Sequence, residues 1–370
     1  MAWASIAAAQ TLKVQISVTP QPAAVEVHAE FPEAIKVVSF ANAYANVFGL
    51  AERIKNVNAD SRTGPAFRKL ATGEFESASP VKSIWYQVDL SKAVAANQES
   101  HVSSLNTERG VLMLADLLPR SLKESGAYAA VSVKLSLPTN WESMTNATRV
   151  DRDTFFSRDP MNAVFVASPK LKVNSTTAGP LLFSVGLSGD WPVSEKDILK
   201  VGKRILDQYA KLTRFQLAEN PTLIIVPYSG SAGAEHWTAE TRGNSIVLFI
   251  GNRGNKDNIK SRIAFVLAHE LFHLWVPNSL NLAGDYDWFF EGFTVYQALR
   301  TDLRLKLISL RSYLDTIASV YDAYRGSPGN DEVSLTSASG QRWTGASSAL
   351  IYNKATLVAF LYDLALRKTT

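Results

Sequence analysis

The hydrophobic pattern of this 370-residue chain changes its period near Asp190. Before that point, short segments alternate or cluster branched and aromatic residues between turn formers, a pattern typical of β-strands. After it, residues 194–215 place apolar side chains three and four positions apart behind Ser194, which favours a helix N-cap. The sequence therefore predicts an α+β protein. A β-rich N-terminal domain over 1–150 is followed by a domain over 151–370 that combines a small sheet with a helical half.

The same patterns predict individual elements. Strands are expected at 11–20, 24–31, 83–91, 128–138, 162–168, 180–189, 222–228 and 245–251, with a Ser/Thr/Gly/Pro-rich link before 180. Helices are expected at 194–215, 257–276, 287–306, 309–325 and 348–367, with a short one near 114–119. Asp257 or Asn258 is expected to cap the second of these helices, and Pro277 to stop it.

Composition excludes several classes of protein. The charges, 38 basic and 34 acidic, give +4 without long runs of one sign, so nothing points to nucleic acid. No uninterrupted apolar run approaches the roughly 18–20 residues of a membrane helix, and no membrane-spanning segment is predicted. The chain has no cysteine, so any metal must be held by nitrogen and oxygen. Five histidines are available for that role: His28, His101, His236, His269 and His273.

The first ten residues, MAWASIAAAQ, end like a signal peptide but have a short apolar part and no basic region, so they are interpreted as a cloning start joined to a trimmed signal region. A disordered or strand-initiating N-terminus is the alternative. A periplasmic or secreted location is therefore predicted, while a cytoplasmic one stays possible.

Residues 269–273 read His-Glu-Leu-Phe-His inside an apolar run that is predicted to be helical. Positions i and i+4 of a helix lie on one face, so two imidazoles so spaced can bind one Zn²⁺ at about 2.0–2.1 Å. Glu270 is rotated about 100° from His269, which lets it reach a water without being a ligand. Because the surrounding residues are apolar, the three polar groups need a strong common partner.

A zinc hydrolase uses a third protein ligand and keeps the fourth position open for water. Glu291 follows His273 after a spacer of 17 residues, in the segment Asp-Trp-Phe-Phe-Glu-Gly-Phe-Thr. A carboxylate among so many aromatic side chains is expensive to bury unless a cation receives it. A glutamate on the solvent-exposed face of an amphipathic helix is the alternative.

The segments HELFHLW and WFFEGFTVY resemble those of the gluzincin zinc metallopeptidases. Within them the chain is most similar to the glycyl-aminopeptidase-like family, and more distantly to the alanyl aminopeptidases and leukotriene A4 hydrolase. The resemblance implies a thermolysin-like catalytic domain with one Zn²⁺ per chain. His269, His273 and Glu291 would be its ligands and Glu270 the general base. The spacer is one residue shorter than is usual in the alanyl group, which a loop deletion would explain.

Two further segments fit the resemblance. Residues 232–236 look like the family's Gly-Gly-Leu-Glu-His element, which implies that Glu235 grips the α-ammonium of a substrate. The strand there could pair with the substrate backbone. Ala232 and Ala234 depart from the pattern, and a plain surface loop is the alternative.

Residues 350–355 look like the family's Tyr-x-Lys-Gly stretch, which implies that the Tyr352 hydroxyl supports the oxyanion. A core-facing tyrosine is the alternative, and Ala355 replaces the family's glycine.

The predicted site residues are grouped by role. The metal ligands are His269, His273 and Glu291, the catalytic residues are Glu270 and Tyr352, and the substrate-binding residues are Gly233, Ala234, Glu235 and His236, with a structural role as the alternative for His236. Asn278 and Asp285 are expected to orient ligands, and Asp287 is the alternative to Asp285.

The function predicted from these residues is zinc-dependent hydrolysis of peptide bonds in a peptide or protein substrate. The resemblance implies an aminopeptidase that releases small N-terminal residues, glycine or alanine. An endopeptidase with the same chemistry and a non-catalytic protein stabilised by zinc are the alternatives. The chain stops where relatives usually continue, so a C-terminally truncated protein is expected. The oligomeric state is left open.

Overall fold

A computed structural model describes residues 10–123, 126–230, 232–280, 284, 286–341 and 344–369. The signal-like residues 1–9 and Asp285 lie outside the described residues.

The strands are β1 Thr11–Pro20, β2 Ala23–Ser39, β3 Ala43–Tyr44, β4 Val47–Phe48, β5 Ile54–Ala59, β6 Arg68–Ala71, β7 Glu74–Asp89, β8 Ser104–Leu105, β9 Gly110–Met113, β10 Ala130–Ser136, β11 Glu142–Thr145, β12 Thr148–Arg149, β13 Thr154–Ser157, β14 Val164–Ser168, β15 Leu171–Ala178, β16 Leu181–Ser188, β17 Thr222–Pro227, β18 Trp237–Arg242 and β19 Ser245–Ile250.

The helices are α1 Leu114–Leu117, α2 Glu195–Thr213, α3 Lys256–His273, α4 Thr294–Arg304, α5 Leu310–Gly326, α6 Leu335–Ser339, α7 Gly345–Ala349 and α8 Ala355–Thr369. Two π-helical turns, Phe289–Phe293 and Leu350–Lys354, precede α4 and α8.

The N-terminal half contains two sheets. The larger has the order β12-β13-β10-β1-β2-β7-β5, with β6 paired to β7, and the smaller has the order β11-β14-β9-β8. In β1, Leu12, Val14 and Ile16 point into the core while the residues between them are more exposed, as the period of two predicts. The β-rich first half and the mixed second half confirm the predicted α+β class.

Strands β13 and β14 belong to these N-terminal sheets, although they follow the predicted domain boundary at 150. β13 pairs with β10, and β14 pairs with β9 and β11. The change from the N-terminal sheets to the next sheet therefore falls between Ser168 and Leu171. The division into two domains itself stays a prediction.

The C-terminal sheet has the order β15-β16-β17-β19-β18 and is covered on both faces. Ile224 and Val247 pack against Val166 of the smaller N-terminal sheet. Ile225 and Leu248 pack on the opposite face, in the core that contains α2 and α3. The central strands are buried on both faces, which explains their continuous apolar sequences. β18 is the edge strand of this sheet.

Two of the predicted local features are wrong. Residues 171–178, expected as a link, form β15. That strand lies at the other edge of the sheet with most of its side chains exposed, so it lacks the apolar alternation by which a strand is recognised. Helix α3 is capped by Asn255, whose side chain accepts from the Asn258 N–H at 2.8 Å, rather than by Asp257 or Asn258. The predicted cap at Ser194 is confirmed, with Asp197 completing a capping box.

The last helical segment, Gly345–Thr369, differs from the sequence expectation about membranes. By length and composition alone it is apolar enough to cross a bilayer. Only 28% of its apolar window is buried in the described structure. The segment also carries Tyr352 and packs Ala355 against the Phe289–Phe293 turn.

Candidate active site

Helix α3 brings the two histidines of the His-Glu-Leu-Phe-His segment to one buried face. The Nε2 atoms of His269 and His273 lie 3.1 Å apart, and Glu291 Oε2 lies 3.3 Å and 3.4 Å from them. Donor atoms bound tetrahedrally to one zinc at about 2.0–2.1 Å are separated by about 3.3 Å, so these spacings fit a three-ligand zinc site. In the described part of the chain, these three side chains form the group whose ligand atoms lie close enough together to hold one metal ion.

The electrostatics of the trio also favour a cation. All three side chains are buried. Burial of the Glu291 carboxylate costs free energy unless a positive charge lies beside it. Burial lowers the pKa of His273, but the adjacent carboxylate of Glu291 outweighs it and raises that pKa to about 9. A negative potential that retains a proton on a buried imidazole also attracts a metal ion.

Glu291 reaches the histidines from the first π-helical turn, a feature that is frequent at functional sites. The turn packs closely against the start of α8. A Cβ on Gly292 would lie only 2.3 Å from the Cβ of Ala355, so the contact requires glycine. The Thr356 hydroxyl is within hydrogen-bond distance of the carbonyl oxygens of Gly292, at 3.1 Å, and Tyr352, at 2.6 Å.

Tyr352 lies in the second π-helical turn, beside the metal ligands. Its ring centroid is 6.4 Å from that of His269, with the planes inclined by 31°. The side chain is half-buried and packs against the small core that contains Leu350 and Ile351. This position suits a hydroxyl that donates to the reacting carbonyl, although the oxyanion role itself stays a prediction.

Glu270 is buried next to the trio but is not one of its members. Its Oε2 accepts a hydrogen bond of 2.8 Å from the Thr241 hydroxyl. Sequence reasoning missed Thr241, because it lies 29 positions away on β18 and belongs to no recognisable motif.

The orientation of the ligands depends on the main chain. The His273 Nδ1–H donates to the carbonyl of Val276 at 2.9 Å, which turns Nε2 towards the metal position. Asn278, predicted to orient a ligand, donates from its side chain to the Gly243 carbonyl and from its N–H to the His273 carbonyl. Those contacts tie the end of α3 to the turn after β18 and do not involve a ligand ring. Asp285, predicted for the same purpose, is not among the described residues.

The predicted substrate-binding residues precede β18. Gly233 pairs with Arg253 and Ala234 is buried, whereas Glu235 and His236 are exposed and contact each other at 3.1 Å. Their contacts do not include the zinc ligands, so their role in substrate binding stays a prediction.

Comparison with known proteins points to the same chemistry. The family model of the M61 glycyl aminopeptidases matches residues 262–358, which include both histidines, Glu291 and Tyr352. The predicted resemblance to gluzincin aminopeptidases is confirmed. The family match and the ligand trio also confirm a zinc metallopeptidase of the aminopeptidase type. No curated protein sequence matches the chain.

Solved structures share the fold at low sequence identity. An aminopeptidase N family protein from Idiomarina loihiensis is 17% identical, with a TM-score of 0.79 over 96% of this chain and 67% of that one. An M1 zinc metallopeptidase from Deinococcus radiodurans is 12% identical, with a TM-score of 0.54 over 94% of this chain and 80% of that one. Because the first of these likenesses covers 96% of this chain, it extends over the N-terminal sheets as well as α3.

Proposed function

We propose that the protein is an aminopeptidase that releases glycine or alanine from the N-terminus of peptides, with Glu270 as its general base. One observation carries the proposal: a buried carboxylate lies beside the three-ligand cluster without belonging to it. A structural zinc site has no use for such a group and normally closes with a fourth protein ligand.

Each of the site residues has a separate role in the proposed reaction. Zinc, when held by His269, His273 and Glu291, supplies an acidified water and a Lewis acid for the scissile carbonyl. Glu270 takes the proton of the attacking water and passes it to the departing amine, first as base and then as acid. The Tyr352 hydroxyl donates to the oxygen on which negative charge develops.

Selection of the substrate's amino end would depend on the segment before β18. Glu235 supplies an exposed carboxylate for an α-ammonium group. β18 is an edge strand, and such a strand can pair with an extended peptide through its main chain.

A substrate panel tests the proposal. Zinc-loaded protein is assayed with glycyl- and alanyl-arylamides, with arylamides of larger residues, and with a peptide blocked at its N-terminus. We expect the two small arylamides to be cleaved fastest and the blocked peptide to be left intact. Cleavage of the blocked peptide alone would refute aminopeptidase action.

An endopeptidase with the same zinc chemistry is the second candidate. The observation that favours it is the position of Glu235, whose carboxylate is exposed and paired with His236. The variant Glu235→Gln separates the two functions. An aminopeptidase should lose affinity for free-amine substrates and show a raised KM, whereas an endopeptidase should be unaffected.

A periplasmic or secreted location stays a prediction that rests on the signal-like first ten residues. Fractionation of cells that express the protein, with activity followed in each fraction, tests it.

A further inference from the structure

The edge strand β18 presents its two faces to different parts of the molecule. Thr238 and Glu240 point towards the N-terminal half, where they contact Ser100 and His101. Since successive side chains of a strand alternate, Thr241 points to the other face, towards α3. Helix α3, on this side of the strand, carries the zinc ligands His269 and His273.

Thr241 makes a directed contact with the proposed base. Its hydroxyl lies 2.8 Å from Glu270 Oε2 and 3.3 Å from the Glu270 carbonyl oxygen. A threonine hydroxyl has one proton to donate, so the shorter contact with the charged oxygen dominates. The longer contact holds the hydroxyl against the helix at the same residue.

The burial of Glu270 makes this contact important. The residue is only 6% exposed, so few waters remain to solvate and orient its carboxylate. Among the described residues, the Thr241 hydroxyl is the hydrogen-bond donor to its side chain. Oε2 holds this hydrogen bond, whereas no described residue donates to Oε1, so Oε1 is the oxygen available to exchange protons with the reactants. A side chain with three rotatable bonds would otherwise sample several positions relative to the water.

We propose that Thr241 is a positioning residue for catalysis, which fixes the Glu270 carboxylate with Oε2 held and Oε1 directed to the reacting water. The assignment rests on the proposed function of Glu270 as general base. It adds to the proposed site a residue from outside α3, on the edge strand β18.

The test compares two substitutions at this position. Thr241→Val keeps the shape of the side chain and removes the hydroxyl, whereas Thr241→Ser keeps the hydroxyl. Thr316→Val is the matched control, because within the described part of the chain the Thr316 hydroxyl bonds only to the Ser312 carbonyl of its own helix, in an exposed position. For each protein we measure kcat and KM, bound zinc, the melting temperature, and the affinity for acetohydroxamate by calorimetry. A hydroxamate shares a proton with the neighbouring carboxylate, so its affinity reports the position of Glu270 without turnover.

The hydroxyl's loss should act on the chemical step. For Thr241→Val we expect kcat to fall about 10- to 100-fold with KM nearly unchanged, as for a hydrogen bond to a charged group. Acetohydroxamate affinity should fall about tenfold, with stoichiometric zinc and a near-native melting temperature. Thr241→Ser should recover most of the kcat, and Thr316→Val should resemble the wild type.

Three results would overturn the assignment. They are wild-type kcat and acetohydroxamate affinity in Thr241→Val, loss of zinc from that variant, or a Thr241→Ser protein as impaired as the valine variant. If the wild type cleaves no peptide at all, the proposed function fails. The acetohydroxamate affinities still decide whether Thr241 positions Glu270, because they require zinc binding and not turnover.

Discussion

Replacement of Gly292 by alanine is expected to weaken zinc binding, because this glycine sets the distance between two helical segments of the site. The added Cβ would lie 2.3 Å from Ala355 Cβ, 2.7 Å from the Ala355 carbonyl carbon and 2.8 Å from the Thr356 nitrogen. Carbon atoms in contact lie about 3.5–4.0 Å apart, so the segments must separate by at least about 1.2 Å. Glu291, the neighbouring residue, would move with its segment.

The size of the effect follows from these contacts. Overpacking typically costs about 1–3 kcal/mol, and two of the three contacts are with main-chain atoms that cannot rotate away, so we expect the upper part of this range. A displaced carboxylate loses its spacing of 3.3–3.4 Å from the two imidazoles. We expect zinc affinity to fall about 10- to 100-fold, as when a supporting contact of a metal ligand is lost.

Zinc affinity is measured by competition with a chromophoric chelator, and stability by thermal unfolding. Gly345→Ala is the control, since among the described residues no atom outside its chain neighbours and its own helix backbone lies within 4 Å of the position its Cβ would occupy. The double variant Gly292→Ala/Ala355→Gly removes the Cβ–Cβ clash but not the main-chain contacts, so partial recovery is expected. A Gly292→Ala protein with native zinc affinity and native melting temperature would refute the role given to this contact.

Three further predictions concern stability and the metal. Burial raises the pKa of Asp302 to about 8, and its carboxyl oxygens lack a hydrogen-bond partner among the described residues. The folded protein therefore keeps a proton that the unfolded chain releases above about pH 4. As the pH rises from about 4 to 8, the free energy of unfolding of the wild type, relative to that of Asp302→Asn, should fall by up to about 1.4 kcal/mol per pH unit. Melting temperatures across that range measure it, and a constant difference would contradict it. Ser194→Ala removes the cap of α2 and should cost about 1 kcal/mol in chemical denaturation, whereas an unchanged midpoint would argue against the capping box. Removal of zinc by a chelator should abolish peptidase activity and one equivalent of zinc should restore it, so activity that survives with no metal detected would exclude the zinc mechanism.

The ligand trio could be predicted from the sequence because its signals are local. His269 and His273 are one helical turn apart, and the apolar residues around them reveal the burial that makes a metal necessary. Glu291 is recognisable for the same reason, as a carboxylate among aromatic residues. The structure adds the π-helical turn that directs it, which no periodicity in the sequence signals.

Other parts of the site depend on tertiary contacts that a single sequence does not encode visibly. Thr241 is close to Glu270 only because β18 is the edge strand beside α3, and a threonine in a strand is otherwise unremarkable in sequence. The close approach of Gly292 to Ala355 likewise joins segments more than 60 positions apart. β15 was missed since an exposed edge strand needs no apolar alternation to pair with its neighbour.

Comparison of wild-type protein with Glu270→Gln shows whether Glu270 is the general base of a zinc-dependent hydrolase. Both proteins are loaded with one equivalent of zinc, and hydrolysis of glycyl- and alanyl-arylamides is followed alongside bound zinc. We expect Glu270→Gln to keep its zinc but to lose about 10²- to 10⁴-fold in kcat, the contribution of a general base. Equal activity in the two zinc-loaded proteins would contradict the role of Glu270, and no activity in either would favour a protein that zinc only stabilises.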